Sequence, residues 1–281
     1  MRYHYPILSR FNLLFFRIGG PGLGNLLFPL YRAFQGSKKN DETLIFPTFF
    51  QLKLGPFLRG EADLRTYGNL FEHRSLKELA IDLNLMINKH RFCAEGTNIG
   101  ENKTPSTTVI HYAGLKNFYY DLDPTLRSEF ISLLESRMHA KDRFSSECTR
   151  IEEDDICIHL RYSDFQESIP GKTGHGYKNS PAWYEKVIKY LRKERPNSKI
   201  RIFSDTEVSQ GFLKDTEIYE VDKSQNALHA LLKMSRHKTI VCSRSSFSLW
   251  AAFLGGKEII VPKEFDPNIY LPKNLCDTSF I

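Results

Sequence analysis

Four short groups of polar residues in this sequence each lie beside an apolar run, where chemistry could be done. In His159-Leu-Arg161-Tyr-Ser-Asp164, an imidazole, a guanidinium and a carboxylate fall at the end of the run that begins at Ile156. Side chains alternate along a strand, so His159 and Arg161 share a face and aim at one volume. A guanidinium fork there matches the oxygens of a diphosphate, a structural salt bridge being its other use. Phe203-Ser-Asp205 ends a second run with a carboxylate that can accept from ribose hydroxyls or from the N–H edge of a base, or cap the next helix. Cys242-Ser-Arg-Ser245-Ser246-Phe247-Ser248 is a hydroxyl-rich turn ahead of a helix, with donors for an anion beyond the one serine a cap requires. Gly20-Pro-Gly22-Leu-Gly24-Asn25 lets backbone N–H groups meet phosphate or sugar closely at a helix start, and Asn25 adds an amide that donates and accepts. A tight turn without a ligand is the alternative. The third glycine of a dinucleotide fingerprint is missing, since Asn25 stands in its place.

The elements that must position these groups alternate. The runs Phe11 to Ile18, Thr107 to Tyr112, Ile156 to Leu160, Lys199 to Phe203, Glu217 to Val221, Thr239 to Cys242 and Glu258 to Val261 read as strands. Between them lie helical patterns: from Asn25, after Asp123-Pro124 up to Lys141, from Pro181, near Glu207 to Leu213, Asn226 to Met234 and Ser246 to Leu254. In the second of these, Leu126, Phe130, Leu133, Leu134 and Met138 share a face behind an aspartate cap. Alternation of this kind implies parallel sheets with crossover helices. The polar stretch Lys141 to Arg150 divides two such series, giving domains 1–147 and 148–281. The expected fold class is α/β: two facing Rossmann-like domains with mostly parallel sheets and a ligand cleft at their carboxyl ends.

Composition narrows the function classes. The 281 residues are 41% hydrophobic and 26% charged, a globular mixture. The net charge of +6 is concentrated in the first 150 residues, which hold 20 basic against 15 acidic side chains. Basic runs and RNP-type aromatic signatures are missing, so no nucleic-acid partner is expected. Five separated cysteines without a C-x-x-C pair support neither a disulfide framework nor a zinc site. No run approaches the ~18 apolar residues of a membrane span, and Phe11 to Phe16 lacks the flanks of a signal peptide; the expectation is a cytoplasmic chain. Nucleophile-elbow, Walker A and H-E-x-x-H motifs are absent. Asp121-Leu-Asp123 looks like a metal-holding D-x-D, but Asp123 already serves as a cap, and no metal site is assigned.

Taken in order, the four motifs resemble those of the α-1,2-fucosyltransferase family of inverting glycosyltransferases, and more distantly those of α-1,6- and protein O-fucosyltransferases. The glycine–Leu-Gly-Asn loop is matched by Gly22 to Asn25, the His-x-Arg-x-x-Asp element by His159, Arg161 and Asp164, the Phe-Ser-Asp element by Phe203 to Asp205, and the Ser-Ser-Phe-Ser-x-Trp-Ala-Ala element by Ser245 to Ala252. The resemblance runs from about residue 11 to 262. Four positions depart from the family pattern: Tyr162 in place of a second arginine, Ser163 of a glycine, Leu26 of a glutamine and Leu249 of a tryptophan. Gln51 to Arg65 is similar to a charged segment of bacterial relatives tied to surface polysaccharide.

The resemblance implies a GT-B-like fold and transfer of L-fucose from GDP-fucose, a substrate and not a cofactor, to a glycan hydroxyl such as galactose O2. It assigns His159 and Asp205 to the guanine, Ser245, Ser246 and Phe247 to the phosphates, and Gly22, Gly24 and Asn25 to the facing side of the cleft. Arg161 and the Ser245–Ser246 helix terminus would neutralise the leaving group without a metal. Asp164 and Asn25 complete the catalytic set, with Asp164 either the base or an orienter of Arg161. The acceptor side suggests a lipid-diphosphate-linked glycan and peripheral contact with the inner membrane. Another nucleotide sugar on the same fold, or a binding protein without turnover, are the alternatives.

Overall fold

The structure is a computed structural model that describes residues 1–12, 15–58, 65–72, 76–87, 91–97, 107–139, 156–162, 177–206, 219–222, 226–256, 258–272 and 275–281. Two compact units divide the chain, Met1–Lys141 and Asp142–Ile281.

In the first unit, β1 (Arg2–Ile7), β4 (Thr43–Leu44), β6 (Arg91–Ala94) and β7 (Thr108–Ala113) form a parallel sheet in the order β4-β1-β7-β6. Helix α1 (Leu23–Asn40) packs against β1 and β7 through an apolar face in which Leu26, Leu27, Phe28, Leu30 and Tyr31 are fully buried. Close approach needs Gly36. A Cβ there would strike the Tyr112 hydroxyl and the His4 ring, which bond each other at 2.7 Å. At the far end of β7, buried Arg32 donates to the carbonyls of Ala113 and Gly114, both at 2.9 Å, and pairs with Glu95. Helix α4 (Arg127–Arg137) follows a 3-10 turn capped by Asp123, whose carboxylate accepts from the Thr125 N–H as its position before Pro124 predicts. Phe130, Leu134 and Met138 are its buried face.

The run Phe11 to Ile18, read from sequence as one strand leading into the glycine loop, is instead divided. It supplies β2 (Phe11–Asn12) and β3 (Arg17–Ile18), which pair antiparallel, and β3 pairs with β5 (Gln51–Leu52) in a separate three-stranded sheet. The alternation is inverted relative to a core strand: Phe11, Ile18 and Leu52 are exposed in one cross-strand row, while Arg17 and Gln51 are buried. The strand ahead of the loop in the main sheet is β1, whose Arg-Tyr-His-Tyr-Pro-Ile carries no apolar run. Short α2 (Leu54–Leu58) and α3 (Leu76–Ile87) complete this unit.

The second unit is a six-stranded, wholly parallel sheet, β10-β9-β8-β11-β12-β13. Its strands are β8 (Ile156–Leu160), β9 (Ile200–Ser204), β10 (Tyr219–Val221), β11 (Thr239–Val241), β12 (Glu258–Val261) and β13 (Thr278–Phe280). Helix α5 (Pro181–Glu194) buries Tyr184, Val187, Ile188 and Leu191, the face its spacing predicts, behind a Ser180 cap and Pro181. Helix α6 (Ala227–Arg236) is capped by Asn226, and α7 (Ser246–Gly255) by Ser245. From β8 the chain builds outward to β9 and β10, then returns to β11 on the other side of β8 and builds outward again. The winding direction therefore reverses between β8 and β11, and in doubly wound sheets ligands bind beyond the carboxyl ends at such a reversal. The expected helix near Glu207 to Leu213 lies outside the described residues.

Candidate functional site

Three of the four motifs leave the sheet of the second unit at or beside that reversal. His159 is the penultimate residue of β8 and Ser243 lies just past β11, so the His159 Nδ1 to Ser243 Oγ hydrogen bond, 2.7 Å long, spans the switch point. The imidazole is buried and lies 5.2 Å from the Phe247 ring at 31°. Burial, and after it the nearby Arg161 guanidinium, hold its pKa well below the ordinary histidine value, with Asp205 acting weakly in the opposite sense. His159 is therefore a neutral donor–acceptor group at physiological pH.

Arg161 stands just beyond β8, and Asp205 just beyond the neighbouring β9. The guanidinium Nε meets Asp205 Oδ2 at 3.2 Å, and Asp205 Oδ1 accepts from the Tyr162 backbone N–H at 2.9 Å. The sequence sets these two residues on opposite ends of a ligand, phosphate and base; the structure joins them. No carboxylate is adjacent to Arg161 in sequence before Asp164, and the partner comes from the next strand. Tyr162 packs edge-on to Tyr184 and donates to the Asn179 carbonyl at 3.2 Å, while the Tyr184 hydroxyl donates to the His159 carbonyl at 3.0 Å. The departure from a second arginine is thus absorbed by packing that braces the end of β8. Asp164 lies outside the described residues.

The serine turn divides its labour. Ser245 caps α7, its Oγ accepting from the Ser248 N–H at 3.4 Å and lying 2.8 Å from Ser243 Oγ, and it is buried. Ser248 donates to the Ser243 carbonyl at 2.9 Å. The Ser245 hydroxyl, which the resemblance assigns with Ser246 and Phe247 to the phosphates, is engaged inside the turn. Half-buried Ser246 and Phe247 are the residues the helix start presents, and the α7 terminus carries the partial positive charge of its dipole. Sequence reasoning gave no role to Ser243 or to Arg244 in the same motif. Buried Arg244 donates through Nε to Asn179 Oδ1 at 3.1 Å, and Asn179 Nδ2 in turn donates to the Cys242 carbonyl at 3.2 Å. An arginine directly after an apolar strand was the available signal.

In the first unit the glycine loop does lead into a helix. Gly19 and Gly20 have φ of +68° and +126°, and Gly22 caps α1 without a side-chain bond. The Leu23 N–H donates to the Tyr67 hydroxyl at 2.9 Å, and the Asn25 N–H to the Gly22 carbonyl at 3.0 Å. Gly24 is buried and Asn25 half-buried; among the described residues the Asn25 amide makes no side-chain hydrogen bond. Beneath the loop sits Arg17, fully buried, reaching the carbonyls of Leu8, Gly19 and Phe49 at 3.3–3.4 Å. Desolvation lowers its pKa to about 10. The Asp121 carboxylate accepts from Asn117 and that of Asp123 from Thr125.

A family model described as Glycosyl transferase family 11 matches residues 77–268. The chain belongs to glycosyl transferase family 11. This is the α-1,2-fucosyltransferase family, so the resemblance carried by the ordered motifs holds. The matched span contains His159 to Ser248, whereas the glycine loop precedes it. Among solved structures, POFUT1 in complex with GDP is 12% identical over 99% of this chain and 97% of that one, with a TM-score of 0.50. POFUT1 in complex with GDP-fucose is 11% identical over 100% and 97%, with a TM-score of 0.44. A search of curated proteins gave no match. The family 11 chain accordingly has an α/β fold of GT-B type with mostly parallel sheets, and it is a glycosyltransferase.

Proposed function

We propose that this family 11 chain transfers L-fucose from GDP-fucose to a glycan hydroxyl, with inversion and with galactose O2 as the leading acceptor position. The observation that carries the reading is the grouping of His159, Arg161, Asp205 and the start of α7 around the β8–β11 reversal. In this reading GDP lies beyond the carboxyl ends of the second sheet. Neutral His159 and half-buried Phe247 border the nucleotide, and the α7 terminus with Ser246 receives the diphosphate.

The reaction forms one bond and breaks another. The acceptor oxygen attacks the anomeric carbon from the side away from the diphosphate, the bond from that carbon to the phosphate oxygen breaks, and GDP leaves with the electron pair. Charge growing on the diphosphate is stabilised by Arg161, which Asp205 holds through Nε, and by the helix dipole. These fixed charges do the work asked of a metal in other glycosyltransferases, so the reading assigns none. Asp164, three residues from Arg161, is the carboxylate assigned to take the hydroxyl proton, and the Asn25 amide to orient sugar or phosphate from the glycine loop. The biological acceptor is assigned to bacterial polysaccharide synthesis, borne on a lipid diphosphate.

Calorimetric titration with GDP, GDP-fucose, UDP and NAD⁺ tests the donor. Binding of GDP and GDP-fucose in preference to UDP is expected; tight NAD⁺ binding or none of GDP overturns the reading. Release of GDP only when a galactoside is added tests transfer.

A further inference from the structure

Asn179 belongs to none of the four motifs, yet two of them are tied together through it. It lies just ahead of the Ser180 cap of α5 and is buried. Its amide is fully used. The Oδ1 atom accepts from Arg244 Nε at 3.1 Å, while Nδ2 donates to the Cys242 carbonyl at 3.2 Å and to the Tyr184 hydroxyl at 3.3 Å. The Tyr184 hydroxyl donates onward to the His159 carbonyl at 3.0 Å, and the Asn179 carbonyl accepts from the Tyr162 hydroxyl at 3.2 Å. Both strand ends that meet at the reversal are thereby held from one amide. Cys242, just past β11, is held directly, and His159, near the end of β8, through a single hydroxyl.

The bonds all run one way, from guanidinium to amide, from amide to carbonyl and hydroxyl, and from hydroxyl to carbonyl. In a buried series of this kind each donor is polarised by the one before it. Arg244 at its head is buried, with Nη2 3.7 Å from the exposed Glu264 carboxylate, so the charge strengthens the hold of Asn179 on both strands. Leaving any of these groups unmet in the interior is costly, and the series therefore fixes how far apart the two carbonyls stand. That separation is the one His159 and Ser243 bridge with their 2.7 Å contact.

We propose that Asn179, polarised by Arg244, is a positioning residue that sets the spacing of β8 and β11 at the reversal and so keeps the His159 ring in register with Ser243 and Phe247. It touches neither nucleotide nor sugar and acts through those three residues. Only the link to donor binding rests on the proposed function; the effect on the His159 ring does not.

Asn179→Asp tests the proposal with almost no change of shape. Beside Arg244 at neutral pH the new carboxylate is ionised; it keeps the acceptor that Arg244 uses and loses both donors. Were Asn179 only filling space and satisfying Arg244, this variant would be silent. The expected result, in the nucleotide-free chain, is an NMR signal of the His159 Nδ1 nitrogen displaced toward its position in Ser243→Ala, the signal being assigned by its loss in His159→Gln. The GDP dissociation constant should rise at least fivefold, and Asn179→Asp should add no further rise in a Ser243→Ala background. Tyr184→Phe, which removes the arm to His159, should displace the Nδ1 signal in the same direction by less. Leu191→Ala is the control: it empties a buried position of α5 and should lower the melting temperature while leaving the ring signal and GDP affinity as they were. An unmoved Nδ1 signal in Asn179→Asp overturns the proposal, and so does an equal displacement by Leu191→Ala, which would reduce Asn179 to general stability. Should Asn179→Asp not fold, an unmoved signal in Tyr184→Phe overturns it. A displaced ring signal in variants of a chain that binds no GDP would instead count against the donor assignment and leave the positioning role standing.

Discussion

Arg161 and Asp205 form an ion pair across adjacent strands, Nε to Oδ2 at 3.2 Å, and the second Asp205 oxygen is held by the Tyr162 N–H. The carboxylate therefore fixes the guanidinium against the end of the sheet. Arg161→Ala should lower the transfer rate at least a hundredfold, on the order of 3 kcal/mol of transition-state stabilisation. Asp205→Asn keeps the acceptor for Tyr162 and loses the charge, and should cost roughly tenfold. A double variant no slower than Arg161→Ala alone would show that Asp205 acts through the arginine; strict additivity would remove that role.

The pH dependence of stability follows from His159. Its folded pKa is depressed, so below the ordinary value of 6.5 the unfolded chain binds a proton that the folded chain refuses. Its effect is neutral above pH 6.5 and destabilising below it, by up to about 1.4 kcal/mol per pH unit. Buried His4 and half-buried His111 are lowered too, and add in the same sense. Urea titrations at pH 7.5 and 5.5 should show the loss, and His159→Gln should reduce it. An unchanged pH slope in that variant would assign the loss elsewhere.

Two glycines are predicted to be intolerant for different reasons. Gly20→Ala asks for a side chain at φ +126° and drives its Cβ into the Arg17 guanidinium. A cost of about 2 kcal/mol or more is expected from strain and clash together. Gly36→Ala instead wedges α1 away from His4 and Tyr112, about 1–3 kcal/mol by overpacking, and Tyr112→Phe should return part of it by removing the nearest struck atom. Melting curves of the single and double variants decide. Full tolerance of Gly20→Ala would mean the loop has another accessible conformation.

Removal of divalent cations should leave transfer unchanged, because charge neutralisation is assigned to Arg161 and the α7 terminus. Rates measured with and without EDTA check this. An EDTA-sensitive rate would turn attention to Asp121 and Asp123.

Most of the second unit was legible in the sequence because β8, β11 and β12 are short apolar runs buried on nearly every position, helices α5 and α6 carry regular stripes behind Ser180 and Asn226, and α7 is mostly apolar behind Ser245; half-exposed β13 carries no such run. Motif residues at strand ends could thus be placed near one another. Which strands lie side by side could not: no local spacing announces that Asp205 reaches Arg161, or that Ser243 rather than Ser245 meets His159. Before the glycine loop the reading failed for a different reason. An apolar run predicts an interior strand, yet Phe11 and Ile18 face outward over buried Arg17 and Gln51, and β1 fills its buried positions with histidine and proline.

The contacts His159–Ser243 and Arg161–Asp205 draw on β8, β9 and β11, the middle of the second sheet. No isolated hairpin or helix of this chain can therefore hold a partial pocket; the site is cooperative with the sheet itself. If the donor binds there as proposed, its binding is a gauge of native sheet registry, and fraying that frees β9 is expected to extinguish it before the unit as a whole has unfolded.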